Sequence, residues 1–229
     1  CSWHMPQTER NGFDEYKKNH IKNAIFFDLD KNSKKDIDLP HMLTDAKSWE
    51  NIVSNMGIKN DDQIVIYDNS DVISSCRCWY NFIYFGHNPE LVHVLDGGLK
   101  KWIEEDRLTT GDIIKIIPSN YTVREKKDLV KDINQINKNI LENKFNVIDA
   151  RSLERFEGKV PEPRKGLRSG SIKNSFCLPF SELINQDHTF ISKEKIHEKF
   201  KSTGYEMSKN TVFTCGSGVT ASVLALAYS

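Results

Sequence analysis

"NTVFTCGSGVTASVLALAY", residues 210–228, decides how this 229-residue chain is read. A short apolar β-rich run delivers a cysteine to a Gly-Ser-Gly loop, and the loop leads straight into an apolar helical run. "DQIVIYDNSDVISSCRCWY", residues 62–80, has the same order of parts: strand, polar loop, apolar helix. A second echo lies upstream of each. "HIKNAIFFDLD" (20–30) and "SGSIKNSFCLPF" (169–180) share Ile-Lys-Asn at 21–23 and 172–174. The order and spacing of the two pairs indicate two copies of one unit.

Between these landmarks strands alternate with amphipathic helices. "KFNVIDARS" reads as a strand ending at Asp149-Ala150, and "ELVHVLDGGLKKWIEED" as a strand, a Gly-Gly turn and a helix. "DAKSWENIVSNMGI" and "DLVKDINQINKNILEN" carry apolar residues at helical spacing behind Asp caps. The pattern predicts an α/β fold, with two tandem domains that each hold a mostly parallel sheet flanked by helices. The expected boundaries are 1–108 for the first domain, 109–122 for a linker and 123–229 for the second. The linker is placed by Gly, Pro and mixed polarity in "TTGDIIKIIPSNYTVREKK". By comparison of the copies, the chain is expected to lack one strand in front, and at least one strand and helix behind, so the second domain reads as truncated.

Charge narrows the partners. Lys+Arg and Asp+Glu are both 32, which argues against a nucleic-acid or membrane-surface footprint, and no apolar run is long enough to span a bilayer. The five cysteines are odd in number and irregularly spaced, which points to a reducing compartment rather than a disulfide framework. No second Cys/His pair accompanies Cys76-x-Cys78 at zinc spacing, so no metal is expected.

Cys215 is the candidate nucleophile. The carboxyl end of a parallel strand is where α/β sheets place ligands. Gly216 and Gly218 let successive amides turn inward as an anion nest, and the helix start adds a positive dipole end. Both favour a thiolate. The matching position in the first copy is Asp68, which has no thiol and is expected to repel an anion, so the first copy reads as inert.

The ordered set "HIKNAIFFDLD", "LPHML", "IVIYD", "VLDGGLKKW", "DARSLERFEG", "PEPRKG" and "CGSGVT" covers essentially the whole chain, and it resembles the tandem-domain rhodanese superfamily, in particular its mercaptopyruvate branch. The resemblance implies transfer of sulfur from 3-mercaptopyruvate, by way of a Cys215 persulfide, to a thiol acceptor such as thioredoxin, to a small dithiol, or to cyanide, with no metal or organic cofactor. Arg155 and Arg164 match the arginines that hold the donor's carboxylate and ketone in the family. Gly216, Gly218, Val219 and Thr220 match the amide loop, and Ser217, His41 and Asp30 match a Ser-His-Asp set. Arg151 and Arg168 are weaker competitors for the clamp. The positions after Cys215 are uncharged, which suits a donor whose charge lies away from the reacting sulfur rather than thiosulfate. Thiosulfate transfer and a non-catalytic sulfur-carrier role stand as alternatives. A cysteine phosphatase needs Cys-x5-Arg, and the sixth residue after Cys215 is Ala221. The family pattern further implies a monomer, cytoplasmic or, in a eukaryote, mitochondrial.

Overall fold

The computed structural model describes residues 1–229 and divides into two compact units. Unit 1 holds Cys1–Lys127 together with Gln186–Thr189, and unit 2 holds Asp128–Asn185 and Phe190–Ser229. No helix is long and apolar enough to cross a membrane.

In unit 1 the helices are α1 (Gly12–Lys18), α2 (Ala46–Asn55), α3 (Ser75–Tyr84) and α4 (Gly98–Glu104), and the strands are β1 (Ile64–Ile66) and β2 (Val92–Val94). The strands pair in parallel, Ile64 opposite Val92 and Ile66 opposite Val94. Helix α2 starts where Asp45 accepts the Ser48 N–H at 2.9 Å. Its apolar stripe then buries Trp49 and Val53. Trp49 stacks on Phe85 at 4.7 Å and meets the edges of Phe27 and Phe82, so one indole ties α2 to α3. Residues 109–127 run back along this unit. Thr110 exchanges both backbone hydrogen bonds with His20, Ser119 N–H donates to Ser54, and Lys126 N–H to Tyr84.

Unit 2 carries α5 (Ile133–Glu142), β3 (Asn146–Asp149), the single turn α6 (Leu153–Phe156), β4 (Phe176–Cys177), α7 (Lys193–Ser202), β5 (Thr211–Thr214) and α8 (Val219–Tyr228). The sheet order is β4-β3-β5, all parallel. Asp132 and Gln135 close a capping box at the start of α5. Behind the sheet Ile148, Leu178, Leu183, Phe200 and Leu224 form the core, with Phe213 packed against it. Helix α8 is apolar almost all round, and its first turns are buried at Val219, Ala221, Ser222, Val223 and Leu224.

The repeat is legible in the backbone. Asn23 and Asn174 both adopt left-handed conformations, φ 66° and 63°, and each closes the same turn, Ala24 N–H to Ile21 and Ser175 N–H to Ile172. The Cys1 ammonium donates to the Tyr67 carbonyl as the Ala150 N–H donates to that of Thr214, so Cys1 holds the place that Ala150 has in unit 2. Residues 25–27 lie extended outside any ladder, while their counterpart β4 pairs with β3.

Candidate active site

Strand β5 ends at Thr214, and the next residue is Cys215. The register holds to that point: Asp149 lies opposite Thr214, and the Ala150 N–H reaches the Thr214 carbonyl at 2.8 Å. The chain then turns through Gly216-Ser217-Gly218 into α8. Gly218 is the residue before the helix and sits at φ 83°, which a side chain would strain. Its N–H points at Cys215 Sγ, 3.1 Å away. The Ser222 hydroxyl donates to the Gly218 carbonyl at 2.7 Å and ties the turn to the first turn of α8. Cys215 is half-buried and packs against the core of unit 2. Val219, at the start of α8, is buried at 3% exposure.

Three other thiols are unsuited to attack. Burial pushes the Cys78 thiol up to about 12 and that of Cys177 to about 11, and it raises Cys76 well above the ordinary value. All three are protonated near neutrality.

Two arginines meet the loop at Gly216. Arg164 Nη2 donates to the Gly216 carbonyl at 2.5 Å. Arg155 Nη2 lies 3.4 Å from where a Cβ on Gly216 would stand, so its guanidinium is in contact with the loop. Arg155 is held side-on by Glu162, Nε to Oε1 at 3.1 Å and Nη2 to Oε2 at 2.6 Å. Glu162 also accepts from Arg151 Nη1 at 2.7 Å, and the Glu162 side chain is only 4% exposed. Arg151 in turn grips Asp149 at the end of β3 and donates to the Gly170 carbonyl. The hydrogen bond from Arg155 holds the Glu162 carboxyl below the usual carboxylate range, and the bond to Asp149 holds Arg151 firmly charged. Arg151 is therefore a strut, and Arg168 is a surface residue that donates weakly to the Ser171 carbonyl. Glu162 was not among the residues singled out from sequence. The signal for it was a carboxylate between two prolines in a stretch that carries both arginines.

In unit 1 the structure brings Asp30 and His41 together, Oδ1 to Nε2 at 3.0 Å. His41 is buried, has φ 58° and packs edge-on against Trp3 at 4.6 Å. Ser217, expected as the third member of the set, belongs to unit 2 with Cys215, Gly216, Arg155 and Arg164.

The first copy's loop is closed by its own anion. Asp68 is buried, and its carboxylate accepts the Ser70 N–H at 3.1 Å and the Ser75 N–H at 2.6 Å. Helix α3 begins seven residues after Asp68, whereas α8 begins four after Cys215, so the first copy's loop is longer by three. The Asp68 carboxylate thus fills the amide nest of its own loop.

The Rhodanese-like domain family matches residues 10–105. The chain is 36% identical over 247 residues to thiosulfate/3-mercaptopyruvate sulfurtransferase 1, mitochondrial, of Arabidopsis thaliana, which covers 99% of this chain and 65% of that relative. It thus spans just under two thirds of that protein. Against the 3-mercaptopyruvate sulfurtransferase of Homo sapiens it is 34% identical over 228 residues, with 99% of this chain and 76% of the relative covered. Among solved structures, SseA from Escherichia coli, described as a 3-mercaptopyruvate sulfotransferase with the rhodanese fold, superposes with a TM-score of 0.87 at 29% identity, over 97% of this chain and 82% of that one.

Proposed function

The chain belongs to the rhodanese-type sulfurtransferases, and from that premise we propose that it moves the sulfur of 3-mercaptopyruvate, through a persulfide on Cys215, to a thiol acceptor. The observation that carries this reading is the Gly218 N–H aimed at Cys215 Sγ beside two arginines that both touch Gly216.

The chemistry has two half-reactions. The Cys215 thiolate attacks the donor's sulfur with its electron pair and forms the S–S bond. The donor's C–S bond breaks, its pair stays on carbon as the enolate of pyruvate, and a proton from solvent or a nearby acid completes pyruvate. The Gly218 amide and the start of α8 stabilise charge on sulfur during both attacks. A thiolate acceptor, thioredoxin or a small dithiol, then takes the outer sulfur and regenerates Cys215. His41, oriented by Asp30, and Ser217 are the set we assign to proton handling.

Donor preference follows from charge. Residues 216–220, which follow Cys215, carry no charge, and the cations beside the loop, Arg155 and Arg164, meet it at Gly216 rather than at the sulfur. That arrangement suits a donor whose carboxylate is set away from the reacting sulfur better than the compact thiosulfate dianion. Arg155 and Arg164 are the residues we assign to the donor's carboxylate and ketone, a pairing suited to the planar guanidinium fork. Residues 123–229 are taken as the catalytic copy and 1–108 as the inert one. Five free cysteines favour a reducing compartment, cytoplasmic or mitochondrial, with the protein acting as a monomer.

The test is pyruvate release from 3-mercaptopyruvate compared with thiosulfate and cyanide, using the wild type and Cys215→Ser. Mercaptopyruvate turnover well above that with thiosulfate, lost in the variant together with the added sulfur on Cys215 in the mass spectrum, supports the reading. Preference for thiosulfate overturns the charge argument. No turnover with either donor by a folded protein points to a carrier role.

A further inference from the structure

Glu162 lies between the two loop arginines in sequence and beneath one of them in space. Both of its oxygens are used, Oε1 by Arg155 Nε and Arg151 Nη1, and Oε2 by Arg155 Nη2. This side-on grip takes the Nε–Nη2 edge of Arg155 and leaves Nη1 with no protein partner. A guanidinium gripped on one edge can rotate only with its carboxylate, and this carboxylate is fixed from behind. Arg151 is held by Asp149, which is 2% exposed at the carboxyl end of β3. The line Asp149–Arg151–Glu162–Arg155 therefore runs from the sheet to the loop with charge alternating at every step.

We infer that Glu162 is a positioning residue: it fixes the Arg155 guanidinium against Gly216 with its Nη1 edge turned outward for the donor. This rests on the reading of Arg155 as a donor contact. Two opposed effects decide the sign of its removal. Neutralising Glu162 raises the net positive charge seen by an anionic donor, which favours binding. It also sets two guanidiniums facing one buried point with no carboxylate between them, and in Glu162→Gln an amide N–H2 faces an Arg155 N–H. Donor against donor in a buried site loses the hydrogen bond outright and drives the fork away. The geometric loss dominates, because a displaced fork cannot use the added charge.

The experiment is a double-mutant cycle on the full chain, with steady-state pyruvate release from 3-mercaptopyruvate as the readout. Glu162→Gln is expected to raise KM about tenfold with kcat within about twofold, and Glu162→Asp to recover part of that loss. In an Arg155→Ala background, Glu162→Gln is expected to change kcat/KM by less than about twofold, because nothing is left to position. An equal loss in both backgrounds marks Glu162 as general scaffold and overturns the inference, as does an unchanged or lowered KM in the single variant. If Glu162→Gln does not fold, Glu162→Asp run through the same two backgrounds decides the matter. A wild type that does not turn over mercaptopyruvate sinks the functional reading and this inference with it. A wild type that does, with Glu162→Gln indistinguishable from it, sinks the inference alone.

Discussion

The Asp68 loop allows a stability prediction with a worked magnitude. Asp68 is buried and its carboxylate takes two amide hydrogens, from Ser70 and Ser75. Hydrogen bonds to a charged partner contribute about 1.5–3 kcal/mol each, and a buried amide left unpaired adds its own penalty. Some of that loss is recovered when water enters the vacated space. Asp68→Ala is therefore expected to cost about 3–4 kcal/mol, and Asp68→Asn, which keeps one acceptor and turns a donor toward the other amide, about 2 kcal/mol. The assay is built into the chain, because the four tryptophans, Trp3, Trp49, Trp79 and Trp102, all lie in unit 1. Urea denaturation followed by tryptophan fluorescence thus reports unit 1. The order wild type, Asn, Ala is required. An Ala variant within about 0.5 kcal/mol of wild type, the scatter of ordinary surface changes, refutes the claim that the aspartate fills its own nest.

Two further outcomes follow from single features. Gly218→Ala places a side chain at φ 83°, at a cost of about 1–2 kcal/mol, and swings its N–H away from Cys215; turnover per folded molecule is expected to fall at least tenfold, and unchanged turnover removes that amide from the chemistry. The hydrogen bond from His41 holds the Asp30 carboxyl below its usual range, so the pair contributes stability above about pH 4 that is lost as pH falls through the lowered value. Because the Asp30 side chain is 67% exposed, solvent screens the effect to about 1 kcal/mol at most. The stability gap between wild type and Asp30→Asn should narrow on acidification from pH 5 to about pH 3; a gap that widens reverses the sign.

What the sequence disclosed, and what it did not, divides along physical lines. Helices α2 and α5 were legible because their starts are local: Asp45 and Asp132 cap amides three residues on. The Cys215 loop was legible for the same reason, since a strand, a glycine turn and a helix occupy consecutive residues. Glu162 was not, because its partners Arg151 and Arg155 come to it only when the segment folds back on the end of β3, and no periodicity records that closure. Asp68 was found by alignment of the copies, but its hydrogen bonds were not. Repulsion follows from its charge, whereas filling the nest depends on where the Ser75 amide lies. Arg151, ranked below Arg155 and Arg164 as a donor contact, is committed by the structure to Asp149, Glu162 and the Gly170 carbonyl.

The duplicated Ile-Lys-Asn turn makes the molecule its own replicate. Asn23 and Asn174 have the same neighbours before them, φ values within three degrees (66° and 63°) and the same closing hydrogen bond. Replacing either by glycine relieves the same left-handed torsion by the same chain chemistry. Any difference between the two responses must then come from what surrounds each turn. In unit 2 the turn feeds β4, which is laddered to β3, and Asn174 Nδ2 donates to the Ile140 carbonyl at 3.1 Å. In unit 1 it feeds residues 25–27, which belong to no ladder. Such a matched pair in one polypeptide separates intrinsic backbone preference from tertiary context, without a second protein for comparison.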